Sequence, residues 1–98
     1  MATFKMTNRA IEDLSNIWNY TLDHWSEVQA DKYYMLITDA FSELAKQPHL
    51  GKEYNEIYPQ LKGYKISRHI IFYRIIDGKD IEITRILHQR MDIKNKFS

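Results

Sequence analysis

Ninety-eight residues without a cysteine suit one domain, spanning 1–98, with neither a disulfide framework nor a thiolate metal site, as in a reducing compartment. The formal net charge is only +1, yet residues 1–60 carry five Lys/Arg against nine Asp/Glu, and residues 61–98 carry nine against four. No apolar run is long enough to span a bilayer, and the start lacks the apolar core of a signal peptide, so a cytoplasmic protein without a membrane partner is expected. A basic last third suits an anionic partner, either an acidic protein segment or nucleic acid; the plainer alternative is a dipole neutralised within the molecule.

Taken in order, Thr3 to Thr7 is a short extended segment with Phe4 and Met6 on one face. A helix should follow, capped by Thr7 or Asn8, with Ile11, Leu14, Trp18, Leu22 and Trp25 on one apolar face and Glu12 and Asp13 in its first turn. Both tryptophans are expected in the core. Ser26 reads as the break and as the cap of a second helix, whose stripe is Ala30, Tyr33, Tyr34, Ile37, Phe41, Leu44 and Ala45. That helix should end at Lys46-Gln47, because Pro48 disfavours helix in the residue before it. So short a link makes the two helices an antiparallel hairpin.

Pro48 to Pro59 reads as a loop with Gly51 at a turn and Ile57 tucked inward. Leu61 to Ser67 is a strand interrupted by Gly63. His69 to Ile76 is nearly all apolar, as expected of a central strand buried on both faces. Asp77-Gly78-Lys79 is a hairpin signal, since glycine accepts the positive φ of a tight turn. In the strand from Asp80 to Leu87, Ile81 and Ile83 should face in and Glu82 and Thr84 out. Continued alternation would bury Arg85, which calls for a bulge or a site there. Met91 to Ser98 should fray. The fold class is therefore α+β: an N-terminal strand and an antiparallel helical hairpin on a small antiparallel sheet.

Three pieces carry a resemblance: Trp18 and Tyr20 in the first helix, His69-x-x-Phe72-Tyr73-Arg74-Ile75, and Arg85-Ile86-Leu87-His88-x-Arg90-Met91-Asp92. In this order and spacing the chain, from about Thr7 to Asp92, resembles the ParE branch of the ParE/RelE toxin superfamily. The resemblance implies a type II toxin that binds DNA gyrase and stabilises its cleaved-DNA state. It also implies a cognate antitoxin that silences the toxin. Direct nucleic-acid contact would then arise only with the antitoxin at operator DNA. The partner-binding residues expected are Tyr73, Arg74, Arg85, His88, Arg90, Met91 and Asp92, with no catalytic set.

The rival within the superfamily is a ribosome-dependent mRNA endonuclease, which needs a base, an acid and a cation for the phosphorane charge. Arg74, Arg85 and His88 form its candidate set, with His69, Tyr73 and Arg90 as further options. A non-toxic member that keeps only antitoxin binding is the third possibility. Plainer roles stand beside each: His88 as a hydrogen-bonded structural histidine, Arg74 and Arg85 as cross-strand pairs to Glu82 or Asp80, and Arg90 with Asp92 as a local salt bridge. Tyr20, Tyr33 and Tyr64 are candidate edge residues that a partner would cover. The four histidines are far apart and the three glycines stand alone, so no metal site, phosphate loop or cofactor is expected.

Overall fold

Thr7 decides where the first helix begins. In the computed structural model, which describes residues 3–76 and 80–97, Thr7 is extended (φ −70°, ψ 161°) and its hydroxyl accepts from the Ala10 amide at 3.1 Å. The same hydroxyl donates to the Thr84 carbonyl at 2.8 Å, and the Thr7 amide donates to the Ile83 carbonyl at 3.0 Å. One residue thus caps helix α1 (Asn8–His24) and sews it to the sheet, which sets the roll of the helix. The buried stripe is Ala10 and Leu14 with Ile17 beside them; of the expected face only Leu14 is fully buried. Ile11 is 52 % exposed and Trp25 67 %. Trp25 lies past the last helical residue, and Trp18 is half-buried, its indole donating to Asp31 of the second helix at 3.1 Å. Glu12 and Asp13 lie beyond the first turn; Asp13 does other work, below.

Helix α2 (Glu27–Lys46) starts as expected, with the Ser26 hydroxyl accepting from the Gln29 amide at 3.1 Å. It buries Ala30, Ile37, Ala40, Phe41, Leu44 and Ala45; Tyr33 is half-buried and Tyr34 exposed. Ala40 and Ala45 join the core cluster that the helices share with the sheet. Gln47 ends it, and Pro48–Leu50 forms one 3-10 turn.

The sheet holds β1 (Phe4–Met6), β2 (Lys52–Glu53), β3 (Lys62–Ile66), β4 (His69–Ile75) and β5 (Ile81–His88) in the order β1-β5-β4-β3-β2. It is mixed, not wholly antiparallel. β1 runs parallel to β5, matching Phe4 to Ile81 and Met6 to Ile83, a pairing that requires a long crossover, here most of the chain. The segment expected to be loop contains β2, which pairs with Lys62 and Gly63. The Asp77-Gly78-Lys79 turn lies outside the described residues.

β4 is buried on both faces, as its composition demands. Ile71 and Tyr73 join Ile81, Ile83 and Ile86 against the two helices. Ile70 and Phe72 join Leu61 and Leu87 on the other face. That second face is covered by Tyr54 and Ile57 and by the chain end expected to fray. Ile93–Lys96 forms a short helix α3, and Ile93 and Phe97, one helical turn apart, pack on this cluster. The Phe97 ring meets Phe72 edge-on at 5.2 Å. Burying a face that would otherwise be wet offsets the cost of ordering so short a helix.

The expected bulge is present in β5. Phe72 pairs with Arg85 and Tyr73 with Ile83, so Thr84 has no partner residue, and its hydroxyl instead donates to the Phe72 carbonyl at 3.0 Å. Past the bulge the alternation reverses: Ile86 faces the helices and Arg85 does not.

Candidate functional site

A groove of about 760 Å³ opens between the last turns of α1, the start of α2, the β3–β4 turn and the end of β5. The turn is made by Ser67 and Arg68, with Ser67 at φ 54°, the positive value a two-residue hairpin loop requires. The Gln89 amide donates to the Arg68 carbonyl at 2.9 Å, which ties the turn to the end of β5 and brings Arg68 near Arg90. On the helical wall, Tyr20 stacks on His24 at 3.9 Å, and the Trp25 indole lies open to solvent.

His69 and His88 are cross-strand partners, with their rings edge-to-face at 5.3 Å. His69 Nδ1 lies 2.6 Å from the Tyr33 hydroxyl. Burial, and then the neighbouring His88, lower the His69 pKa to about 4 against a partial opposing pull from Asp13, so this imidazole is neutral at pH 7. Burial also raises the Tyr33 phenol. His88 accepts the Arg90 amide on Nδ1 at 3.1 Å, which leaves the proton of its neutral form on Nε2.

Asp13, at the groove floor, closes the edge of β5 beyond the reach of β1. Its carboxylate takes Arg85 Nε at 2.8 Å and Nη2 at 3.0 Å, and accepts the Ile86 amide at 3.0 Å. The remaining Arg85 nitrogen, Nη1, donates to the Lys96 carbonyl at 3.3 Å. The bond to Asp13 pushes the Arg85 pKa up. Arg85 therefore joins α1, β5 and the docked tail.

Of the seven residues expected to bind a partner, His88, Arg90 and Met91 line the groove. The others stand elsewhere. Tyr73 is fully buried; its hydroxyl donates to the Pro48 carbonyl at 2.6 Å and accepts the Gly51 amide at 2.8 Å, so it locks the loop and offers no surface. Gly51 is needed there for space rather than for a turn: its φ is −72°, and an added Cβ would lie 2.5 Å from the Tyr73 oxygen. Arg74 pairs with Glu82 across the strands at 2.9 Å, the plainer role foreseen for it. Arg85 pairs with the helix, not with Glu82 or Asp80. Asp92 accepts from the Asn95 side chain, and the ion pairs among the described residues do not include Arg90 with Asp92.

The candidate nuclease set does not converge. Arg74 sits opposite Glu82, six residues before His88, which is about 20 Å along a strand. Sequence reasoning missed Asp13, Trp25 and Arg68 as groove residues. The one available signal was Trp25, which follows Leu22 in the stripe although it lies at the helix break. Among the described residues, no group of three or more His, Asp or Glu could hold a metal ion, and no helix is long and apolar enough to cross a membrane.

The model of the ParE toxin of type II toxin-antitoxin systems (parDE) matches residues 4–93. The chain belongs to the ParE toxin family. ParE relatives include Toxin ParE1 of Mycobacterium tuberculosis, 35 % identical over 80 residues that make up 82 % of each chain. Toxin ParE1 of Caulobacter vibrioides is 29 % identical over 96 % of each. Toxin ParE of Escherichia coli is 26 % identical over all of this chain and 95 % of its own. Among solved structures, the chromosomal ParDE system of P. aeruginosa superposes with a TM-score of 0.77 at 22 % identity, covering 90 % of this chain and 96 % of that one. The RelBE2 toxin-antitoxin complex of Mycobacterium tuberculosis gives 0.64 at 21 %, covering 90 % and 98 %. These two likenesses show the ParE/RelE toxin fold, which carries the α+β architecture expected.

Proposed function

We propose that this ParE-family toxin acts on DNA gyrase by binding, shifting the enzyme toward its cleaved-DNA state, and that a cognate antitoxin silences it. The observation that carries the binding mode is the dispersal of Arg74, Arg85 and His88, with both arginines held in ion pairs. A ligand moves an equilibrium by preferring one state, so poisoning requires only that the toxin fit the cleaved complex better than the intact one. The solved ParDE and RelBE2 systems support an antitoxin partner. A disordered antitoxin segment would add a helix in the groove or a strand at a sheet edge, and the basic last third favours an acidic one.

The test is a supercoiling and cleavage assay with purified toxin, read with and without protease treatment of the DNA. Linear DNA that appears after protease treatment is the expected result, and unaffected gyrase refutes the proposal. Charge reversal at Arg90, which is exposed, probes the contact without unfolding the chain. Undiminished poisoning by a folded Arg90→Glu variant would remove Arg90 from the contact.

One observation favours the endonuclease as a second reading: neutral His69 beside His88 and Tyr33, in the groove that holds Arg68 and Arg90. Transcripts cut within codons in a translation extract, and spared by His88→Ala, would establish it. Intact mRNA at high toxin concentration would end it.

A further inference from the structure

We propose that the outer face of α2 is a self-association surface, on which a second copy of this chain packs antiparallel about a twofold axis between Met35 and Leu36. This inference concerns the toxin alone and stands or falls apart from the gyrase reading.

The side of α2 away from its buried stripe carries Val28 and Met35, two helical turns apart, with Leu36 beside them. These three are 62 %, 59 % and 44 % exposed. Single apolar residues on a surface need no explanation, but these alternate with charges in a pattern that complements itself. Lys32 and Asp39 share the face, again two turns apart. Both are exposed, and neither is in an ion pair with a described residue. Laid antiparallel on a copy of itself, the helix sets Lys32 against Asp39 of the second copy and Asp39 against its Lys32, on either side of a centre where Met35 meets Leu36. Glu27 and Lys46, at the two ends of the helix, come within about 3 Å of the same register. Asp31 falls opposite Ala40 and Glu43 opposite Val28, so like charges do not face each other. A twofold contact makes each of these pairings twice.

The area sets the strength. With 20 residues, α2 is about 30 Å long and about 10 Å across, a footprint of roughly 300 Å² per copy. Ile11 and Tyr34, 52 % and 42 % exposed, add to it from a hollow of about 400 Å³ between α1 and α2. Stable interfaces take about 600 Å² or more from each partner, so the dimer is reversible and forms in the micromolar range rather than being obligate. Charge selects a second copy over an acidic segment, which would meet Lys32 but be repelled by Asp31, Asp39 and Glu43. The seam shares no residue with the groove lining, so both grooves of a dimer stay open, and a partner with two sites meets a bivalent toxin.

The experiment is sedimentation equilibrium on the purified full chain, from about 5 to 500 µM at about 50 mM salt. The chain should pass from monomer to dimer across that range. Lys32→Glu and Asp39→Lys each set like charges against one another twice over, and each should weaken association about tenfold or more. An equal mixture of the two variants should associate again, because both contacts of the mixed dimer are of opposite sign, and the K32E/D39K double variant should do the same. Met35→Glu should leave a monomer, since it places a charge at the apolar centre. All these positions are exposed, so thermal melting should confirm an intact fold. A monomer throughout the range, a dimer that both single variants retain, or a mixture of folded variants that stays monomeric would each overturn the proposal, the second by placing the contact on another face.

Discussion

Replacing Asp13 with alanine should cost this domain about 3 kcal/mol. The carboxylate holds two nitrogens of Arg85 at 2.8 and 3.0 Å and the Ile86 amide at 3.0 Å, and the side chains of Arg85 and Asp13 are 15 % and 12 % exposed. Breaking a buried pair costs about 3–5 kcal/mol, because a charge is stranded, and an orphaned strand amide adds about 1–3. The pair is not fully buried, so water reaches part of it and the lower end applies. At roughly 4–8 °C per kcal/mol for a domain of this size, the melting temperature should fall by about 12–24 °C. Asp13→Asn keeps an oxygen for the Ile86 amide and should cost about half as much. A double-mutant cycle with Arg85→Met, measured by urea unfolding, should show coupling of about 2 kcal/mol. A loss under about 1 kcal/mol for Asp13→Ala, with no coupling, would refute this account of how the helix, strand and tail are joined. Loss of toxicity on changing Arg85 is accordingly expected to follow loss of fold, and a melting curve alongside the growth assay distinguishes the two.

Three further outcomes follow from the geometry. The His69 pKa falls from 6.5 when unfolded to about 4 when folded, so the unfolded chain binds the proton more readily. Stability is then fully present above pH 6.5 and is lost as pH falls from there to about 4, with a difference of about 1–2 kcal/mol by pH 5 after allowing for partial solvation; His69→Gln should remove that part of the acid sensitivity in paired urea titrations. Gly51→Ala places a methyl against the Tyr73 ring and should cost about 2 kcal/mol, with no loss of stability meaning that the loop can shift freely. Arg74→Ala should cost under about 1 kcal/mol, because the Arg74 side chain is 50 % exposed and a cross-strand pair in water contributes little; a larger loss in thermal melting would give Arg74 a structural role not visible in its contacts.

Wherever the chain speaks through local rules, its structure was legible. The Ser26 cap, the stop before Pro48, the two-faced burial of β4 and the bulge implied by Arg85 each depend on a residue and its near neighbours. The groove was only partly legible. His88, Arg90 and Met91 were singled out from the closing motif, but Trp25 was assigned to the core because its spacing continues the α1 stripe. Of that stripe Leu14 is buried as expected, but Thr7, anchored to Thr84 and Ile83 across the sheet, turns Ala10 rather than Ile11 inward.

By itself the sequence determined the two long helices, the first strand and the three long strands of the sheet, most of their ends and the toxin family, since caps, breakers, periodicity and ordered motifs are written in consecutive residues; β2 and α3 were not among them. Tertiary structure decided which helical face is buried, that β1 joins in parallel, that the tail docks rather than frays, and that Asp13, Arg85, Arg68 and Trp25 take the places they do. Those outcomes depend on partners as many as 77 residues apart, such as Thr7 and Thr84. Residues so far apart have no spacing rule to relate them, and only the burial of both faces of one sheet brings them together.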